Sequence, residues 1–457
     1  MHIDKEKKSV TRDLTEGSPM KLILGFAVPM LFGFLFQQFY NLVDTMIVGK
    51  FLGSDALAAV GSTGSVNFLV IGFCMGICNG FVIPVAQQFG AKNYRNLRKY
   101  VANGAYLCIG FSVVITLVTV IFAREILTLM MTPEDIFESA YIYIVIIFWG
   151  IPATMLYNMT SGIIRSLGDS KTPVIFLALS SGINIVLDIV LIYYVKMGVA
   201  GAAVATVVSQ AVSGVGCLVF MVRRFDILKM NREEKIFDRR FAAILCGMGI
   251  PMGLQYSITA IGSVILQTAV NTLGTVYVAS VTAGSKLSMF FCCPFDAMGS
   301  TMATYGGQNV GAGKLDRIGR GLKDCTILGA VYSVFALAVL VLFGKQLALL
   351  FVSSSDVEII GYTYRFLIAN CTFYIPLAIV NIFRFLIQGM GFSQFAILAG
   401  VFEMVARTVT GFTLVPVWGY PAACFGNALA WIFADIFLIP AYFICMKRLR
   451  NKFNPVF

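Results

Sequence analysis

The sequence predicts an all-α integral membrane protein, with twelve transmembrane helices in two six-helix bundles related by a parallel internal repeat. Composition is the first observation behind this. Of 457 residues, 58% are hydrophobic and only 12% charged, about half the ~25% charge share of an ordinary soluble domain. Segmentation is the second. Twelve apolar runs fall at about 19–48, 57–86, 100–123, 138–164, 173–195, 199–222, 241–272, 276–305, 322–343, 359–386, 394–416 and 421–446. Most of them reach the ~20 residues that a ~30 Å hydrocarbon core requires.

Internal repetition is the third. GFAVPM around Pro29 recurs as GMGIPM around Pro251, and Gln87–Lys92 (QQFGAK) recurs as Gln308–Lys314 (QNVGAGK). Pro152 pairs with Pro376, Gly168 with Gly391 and Gly198 with Gly419, in one consistent register. Six spans per half is an even number, so the two copies share one orientation and relate by an axis along the membrane normal. The hydrophilic break RRFDILKMNREEKIFDRR divides them. It gives an amino-terminal lobe over 1–222, a linker over 223–240 and a carboxy-terminal lobe over 241–457.

Orientation follows from the loop cations. Lys and Arg crowd residues 1–21, 87–99, 165–171, 223–240, 314–323 and 447–452, whereas the opposite loops hold only Lys50, Arg124, Lys196 and Lys345. Both termini and the linker are therefore expected in the cytoplasm of a cell-membrane protein. The first 20 residues are polar, and the run after them is long enough to span rather than be cleaved as a signal. The net charge of +11 belongs to this topology, so no nucleic-acid partner is expected.

The 11 cysteines are scattered through the apolar runs without metal-ligand or disulfide spacing and read as small core residues. The single histidine, His2, sits in the polar tail and reads as solvated, which excludes a buried imidazole from any mechanism. No G-x-x-x-x-G-K-[ST] phosphate loop is present. With no nucleophile motif and no soluble catalytic domain, neither an enzyme nor a cofactor is expected, and transport must draw on an ion gradient.

Three polar stripes interrupt the greasy helices. Gln37, Tyr40, Asn41 and Asp44 fall at helical spacing near the outer end of the first span. Asn184 and Asp188 lie one turn apart on the fifth span, and Thr206 and Gln210 share a face of the sixth. A charge at mid-bilayer costs roughly 2.5–3.5 kcal/mol on insertion scales, so these stripes must face a protein interior or a water-filled cavity. The amino-terminal bundle is thus expected to hold two carboxylates. The other half differs. Leu266 aligns with Asp44 and Thr410 with Asp188, while Glu403 with Arg407 reads as a helical ion pair. Gln255 and Asp296 remain as candidates to face the cleft. Prolines 29, 84, 152, 251, 294 and 376 lie inside spans, where they permit kinks.

The run D-x-x-x-V-G-x-x-x-G-x-x-A-L-A-A-V-G from Asp44 to Gly61 resembles the first helix and loop of the MATE (multidrug and toxic compound extrusion) family. Gln87–Ala91 and its copy Gln308–Ala312, Ile164–Pro173, Asn184–Asp188 and Gly198–Gln210 resemble it too, over nearly the whole chain. The resemblance implies secondary active export of organic cations by alternating access, in a monomer. It points to the branch with acids in the amino-terminal lobe. By that resemblance Asp44 and Asp188, with Tyr40, Asn184 and Thr206 around them, couple H⁺ or Na⁺. Na⁺ would be held at Asp44, Asp188 and Asn184. Gln37, Asn41, Gln210, Gln255 and Asp296 are candidates to line the substrate cleft. The acids some members carry in the seventh and tenth helices are not matched: Gln255, Gln267 and Asn370 stand in those runs.

A flippase for lipids or lipid-linked sugars is the alternative, because related families share a two-bundle architecture. It calls for several cations in the cleft, and the spans as drawn hold only Lys286, Arg365, Arg384 and Arg407. A membrane enzyme is the third and weakest reading. Thirty-nine Phe, 18 Tyr and 20 Met would suit flat cationic substrates through cation–π contacts and adaptable packing.

Overall fold

A computed structural model describes residues 11–453; His2 lies outside them. Every regular element among the described residues is helical. In chain order they are α1 (Pro19–Leu52), α2 (Ser54–Ser62), α3 (Gly64–Gly90), α4 (Tyr94–Ile121), α5 (Ala123–Leu129), α6 (Glu134–Trp149), α7 (Ile151–Ser166), α8 (Lys171–Asp188) and α9 (Val199–Arg224). After the linker come α10 (Arg239–Asn271), α11 (Thr275–Gly311), α12 (Leu315–Ala348), α13 (Val357–Thr372), α14 (Tyr374–Gly389), α15 (Ser393–Val409), α16 (Val415–Trp418) and α17 (Tyr420–Phe453).

Ten of these segments are long and apolar enough to cross a membrane singly. Two more spans are bent pairs: α6 with α7, at 43°, and α13 with α14, at 51°. Pro152 and Pro376 stand just after the two breaks. There the missing N–H and the ring's clash with the preceding turn stop one helix from running into the next. That yields up to twelve spans in the places the apolar runs mark.

The internal repeat is written into the backbone. Asp188 ends α8 and a π-helical turn follows at Ile189–Tyr194; Val409 ends α15 and the same kind of turn follows at Thr410–Leu414. Gly198 and Gly419 then share a φ of 62°, and Gly168 and Gly391 take 90° and 95°. These are left-handed conformations that a Cβ disfavours, which explains why glycine stands at both members of each pair.

The lobes meet along α3–α10, α1–α11 and α3–α11. Gly76 and Gly80 on α3 face Gly249 and Gly253 on α10. A Cβ on Gly76 would lie 2.5 Å from the Met252 carbonyl oxygen and 2.6 Å from the Gly253 Cα, so the two backbones touch. This small-xxx-small seam is how lipid-embedded helices gain van der Waals contact where burial supplies no driving force.

The linker end of the molecule is sealed. Residues 12–15 cross it as a strap: Leu14 and Thr15 are 1% and 2% exposed. Arg12 donates its N–H to the Leu167 carbonyl at 3.0 Å, which ties the strap to the amino-terminal lobe. Leu14 donates its N–H to Gln308 Oε1 at 2.8 Å, and Gln308 Nε2 donates to the Ser166 carbonyl at 2.9 Å, which bridges to the other lobe. Lys314 and Arg317 donate to the Thr15 and Gly17 carbonyls. Between the lobes, residues 226–228 and 232–235 form short 3₁₀ turns. There Glu234 is held by Arg98 at 2.7 Å.

The cysteines are all free, and nine of the 11 are buried. Cys78 and Cys108 each donate weakly to the Met155 carbonyl, as small core residues do.

Candidate functional site

The polar stripes of three separate helices converge. α1 brings Tyr40 and Asp44, α8 brings Asn184 and Asp188 at its last turn, and α9 brings Thr206. Asp188 is fully buried and Asn184 is 1% exposed. Oriented as its neighbours demand, the Asn184 amide donates to Asp188 Oδ2 at 3.0 Å, and its oxygen accepts the Thr206 N–H at 3.2 Å. The Tyr40 and Thr206 side chains are neighbours, and the Asp44 and Asp188 carboxyls lie close to each other. One oxygen of each carboxyl, Oδ1 in both, has no donor among the described residues.

Two carboxylates this close, one of them buried and the other half-buried, repel strongly, and an orphaned buried oxygen forfeits its hydration. The arrangement therefore calls for a neutralising species between them. A shared proton satisfies it. Carboxylate, amide and hydroxyl oxygens are also hard donors of the kind Na⁺ takes, and the site offers all three. Among the described residues no group of three or more His, Cys, Asp or Glu is placed to hold a metal ion. The π-helical turn that begins at Ile189 directly follows Asp188. It re-aims the helix at the acid, which is where such turns recur in functional sites.

The remaining stripe residues lie apart from this network. Gln37 and Gln210 are half-buried, and Asn41 is exposed, with its carbonyl accepting from Thr45 at 2.8 Å. Gln255 is buried in the other lobe, where Gln388 donates to it at 3.4 Å. Asp296 is half-buried and makes no hydrogen bond or ion pair among the described residues. Tyr143 on α6 was not legible as a member. It lies within electrostatic reach of Asp44, Tyr40 and Asp188, yet in the sequence it is one tyrosine of an alternating aromatic–aliphatic run.

The carboxy-terminal lobe holds its own buried charges. Glu403 is the hub: Arg407, one turn on, pairs with it at 3.4 Å, and Arg384 from α14 pairs with its other oxygen. Arg407 also donates to Asn427 Oδ1 at 3.3 Å. Both arginines are thus committed, where the spacing indicated only one.

Arg165 corrects the sequence reading. Counted there as a loop cation, it sits in the last turn of α7 and lines a cavity between the lobes with Asn79, Met252, Ser300, Thr304 and Phe385. The cavity is small, about 50 Å³, well below the ~300–1,000 Å³ of small-molecule sites.

Comparisons with known proteins agree with this architecture. The MatE family model matches residues 29–190 and 251–413, once in each half. The chain is 29% identical over 373 residues to the probable multidrug resistance protein YpnP of Bacillus subtilis (strain 168), covering 81% of this chain and 82% of that one. It is 28% identical over 432 residues to the probable multidrug resistance protein YoeA of the same organism, covering 91% and 93%. Among solved structures it resembles the outward-facing conformation of a multidrug resistance MATE family transporter, with a TM-score of 0.88 at 23% identity, over 96% of this chain and 98% of that chain. Two matched halves with one shared backbone signature, on a two-lobed helical frame, place the chain in the MatE family of membrane transporters.

Proposed function

We propose that the protein is an antiporter that exports organic cations and drugs in exchange for H⁺ or Na⁺, with Asp44 and Asp188 as the coupling pair. The observation that carries this reading is the approach of two carboxyls inside one lobe, Asp188 buried and Asp44 half-buried, each with a buried oxygen that lacks a hydrogen-bond partner among the described residues. Asn184, Tyr40 and Thr206 hold the pair in place. Loading the ion from outside neutralises the pair, and its release inside restores the charge. Each elementary charge moved across 100 mV is worth about 2.3 kcal/mol, enough to drive a useful substrate gradient.

The lobes over 1–222 and 241–457 would rock about the cleft while the linker over 223–240 spans them. The sealed linker end corresponds to a state open to the outside, with both termini in the cytoplasm, as the loop cations require. Gln37, Asn41, Gln210, Gln255 and Asp296 are the candidates to meet substrate as the cleft opens. The flippase alternative gains one cation from Arg165, but Arg384 and Arg407 are neutralised by Glu403. The test is dye efflux from proteoliposomes under a separately imposed H⁺ or Na⁺ gradient. Wild type should respond to one of the two and Asp44→Asn to neither; efflux indifferent to gradient and substitution would overturn the reading.

A further inference from the structure

We infer that the carboxy-terminal lobe carries a site for one anionic phospholipid at its rim opposite the linker, with the lipid phosphate on Arg365 and Tyr362 and an acyl chain in the groove between α13 and α17. The site is separate from the ion-coupling pair and from the space between the lobes. Residues of α11, α13 and the α16–α17 turn line it, and none of the described residues of the amino-terminal lobe does.

The groove holds about 750 Å³, within the ~300–1,000 Å³ of small-molecule sites. Three tyrosines from three segments form its rim. The ring centroids of Tyr277, Tyr362 and Tyr420 stand 4.8, 4.9 and 5.1 Å apart. The Arg365 guanidinium lies 5.5 Å from the centre of the Tyr362 ring. It is exposed and makes no ion pair among the described residues, and the acid of this rim, Glu358, acts on Tyr277 instead. Tyr420 donates its hydroxyl to the Tyr362 carbonyl at 2.7 Å, and Tyr277 donates to the Tyr362 hydroxyl at 3.5 Å, which leaves the Tyr362 O–H to give. A guanidinium and a phenol O–H thus stand together, a donor set suited to phosphate oxygens. With Lys345 over the Tyr364 ring at 5.5 Å, two cations face one acid here, which favours an anionic lipid over a zwitterionic one.

Below the rim the lining is largely apolar. Thr363, Phe366, Leu367 and Asn370 form the buried face of α13. Arg365, Ile368, Ala369 and Thr372 run down its other side into the groove, a drop of ~10 Å at 1.5 Å rise per residue. Phe425 of α17, 41% exposed, closes the far wall. Tyr and Trp mark the headgroup level of a bilayer, and Trp418, 65% exposed, stands at the same rim. The polar end therefore sits at phosphate depth and the apolar end among acyl chains. The internal repeat shows that the fold does not demand this chemistry. Gly53 and Gly274, like Gly198 and Gly419, are matched glycines at positive φ, and the cation–ring pair Arg124–Tyr141 answers Lys345–Tyr364. In that register Ala56, Ser139, Ile142 and Val199 stand where this lobe has Tyr277, Tyr362, Arg365 and Tyr420.

The test is native mass spectrometry of the detergent-solubilised full-length protein, titrated with phosphatidylglycerol or with phosphatidylcholine of the same chains. Wild type should hold one phosphatidylglycerol about tenfold more tightly than phosphatidylcholine, the worth of one charge-assisted contact. Arg365→Gln should erase that preference and Arg365→Lys should keep part of it. Arg124→Gln, which removes a cation from the corresponding rim of the other lobe, should leave it within about twofold. Glycerol phosphate, an anionic headgroup without chains, should not displace the lipid at equal concentration. Equal wild-type affinities would overturn the inference, as would tighter phosphatidylcholine binding, the sign of tyrosines reading a quaternary ammonium. Equal losses in Arg365→Gln and Arg124→Gln would reduce the preference to net surface charge, and displacement by glycerol phosphate would make this a site for a soluble anion; either result also overturns it.

Discussion

Leu14 and Gln308, 294 residues apart in the chain, are joined by a buried hydrogen bond of 2.8 Å. Through the other end of its amide Gln308 reaches Ser166 at 2.9 Å, so one side chain fastens the amino-terminal strap to both lobes. Losing it strands a buried N–H and a buried carbonyl, at about 1–3 kcal/mol for each unsatisfied group. Gln308→Leu should therefore release the strap. Hydrogen–deuterium exchange should show residues 12–17 protected in wild type and exchanging at least tenfold faster in the variant.

Glycines at the same end set how closely the lobes close. A Cβ on Gly90 would collide with the Gln308 carbonyl, and one on Gly311 with the Gln87 carbonyl. Backbone cannot step aside as a side chain can. Gly90→Ala is expected to lower stability by about 1–3 kcal/mol through forced lobe separation. Gly110→Ala, with open space where its Cβ would go, should be neutral or mildly stabilising. Thermal melts of the two variants side by side check the contrast.

The Glu403 hub gives a third expectation. Arg384 and Arg407 both depend on it, and all three are at least nine-tenths buried. Removing the acid leaves two buried cations facing each other. Glu403→Gln should cost about 3–5 kcal/mol, seen as a lowered melting temperature, whereas a shorter but still charged Glu403→Asp should lose less.

The linker carries a pH dependence of known sign. Hydrogen bonding from Arg98, then from the Asn231 N–H, holds the Glu234 carboxyl down at about 2, below its ordinary 4.5. A depressed acid contributes its stability in full above its unfolded value and loses it as pH falls towards the folded one. Linker docking should thus be flat from neutral pH to about 5 and weaken between about 4.5 and 2. The contribution is on the order of 2 kcal/mol after solvent screening. Arg98→Ala should flatten that acid limb in a melting-temperature series.

Much of this was legible in the amino acids, and the exceptions have physical causes. Apolar run length fixes a span, so the ten single spans and the two bent pairs fall where the runs mark them. Helical spacing put Tyr40 with Asp44, and Asn184 with Asp188, on shared faces. Their convergence across α1, α8 and α9 is tertiary, and only the cost of orphaned charge in lipid hinted at it. Arg165 was misplaced because a cation at a span's end looks the same whether it points to water outside or to a cavity within. The strap at residues 12–15 was invisible for a related reason. A polar segment without periodicity carries no pattern when its contacts are made through backbone groups. Nor does any residue type announce the π-helical turn after Asp188, although its repeat after Val409 marks the duplication.

Reciprocity of coupled fluxes gives the most direct test of the exchange itself. Proteoliposomes are loaded with a cationic dye, given no ion gradient, and monitored for internal pH and internal Na⁺ as the dye runs out. Coupling at Asp44 and Asp188 predicts that dye efflux drags one of the two ions the opposite way in wild type, and that Asp188→Asn abolishes the ion movement. Dye efflux from wild type with neither ion moving, or an ion flux untouched by Asp188→Asn, would contradict it.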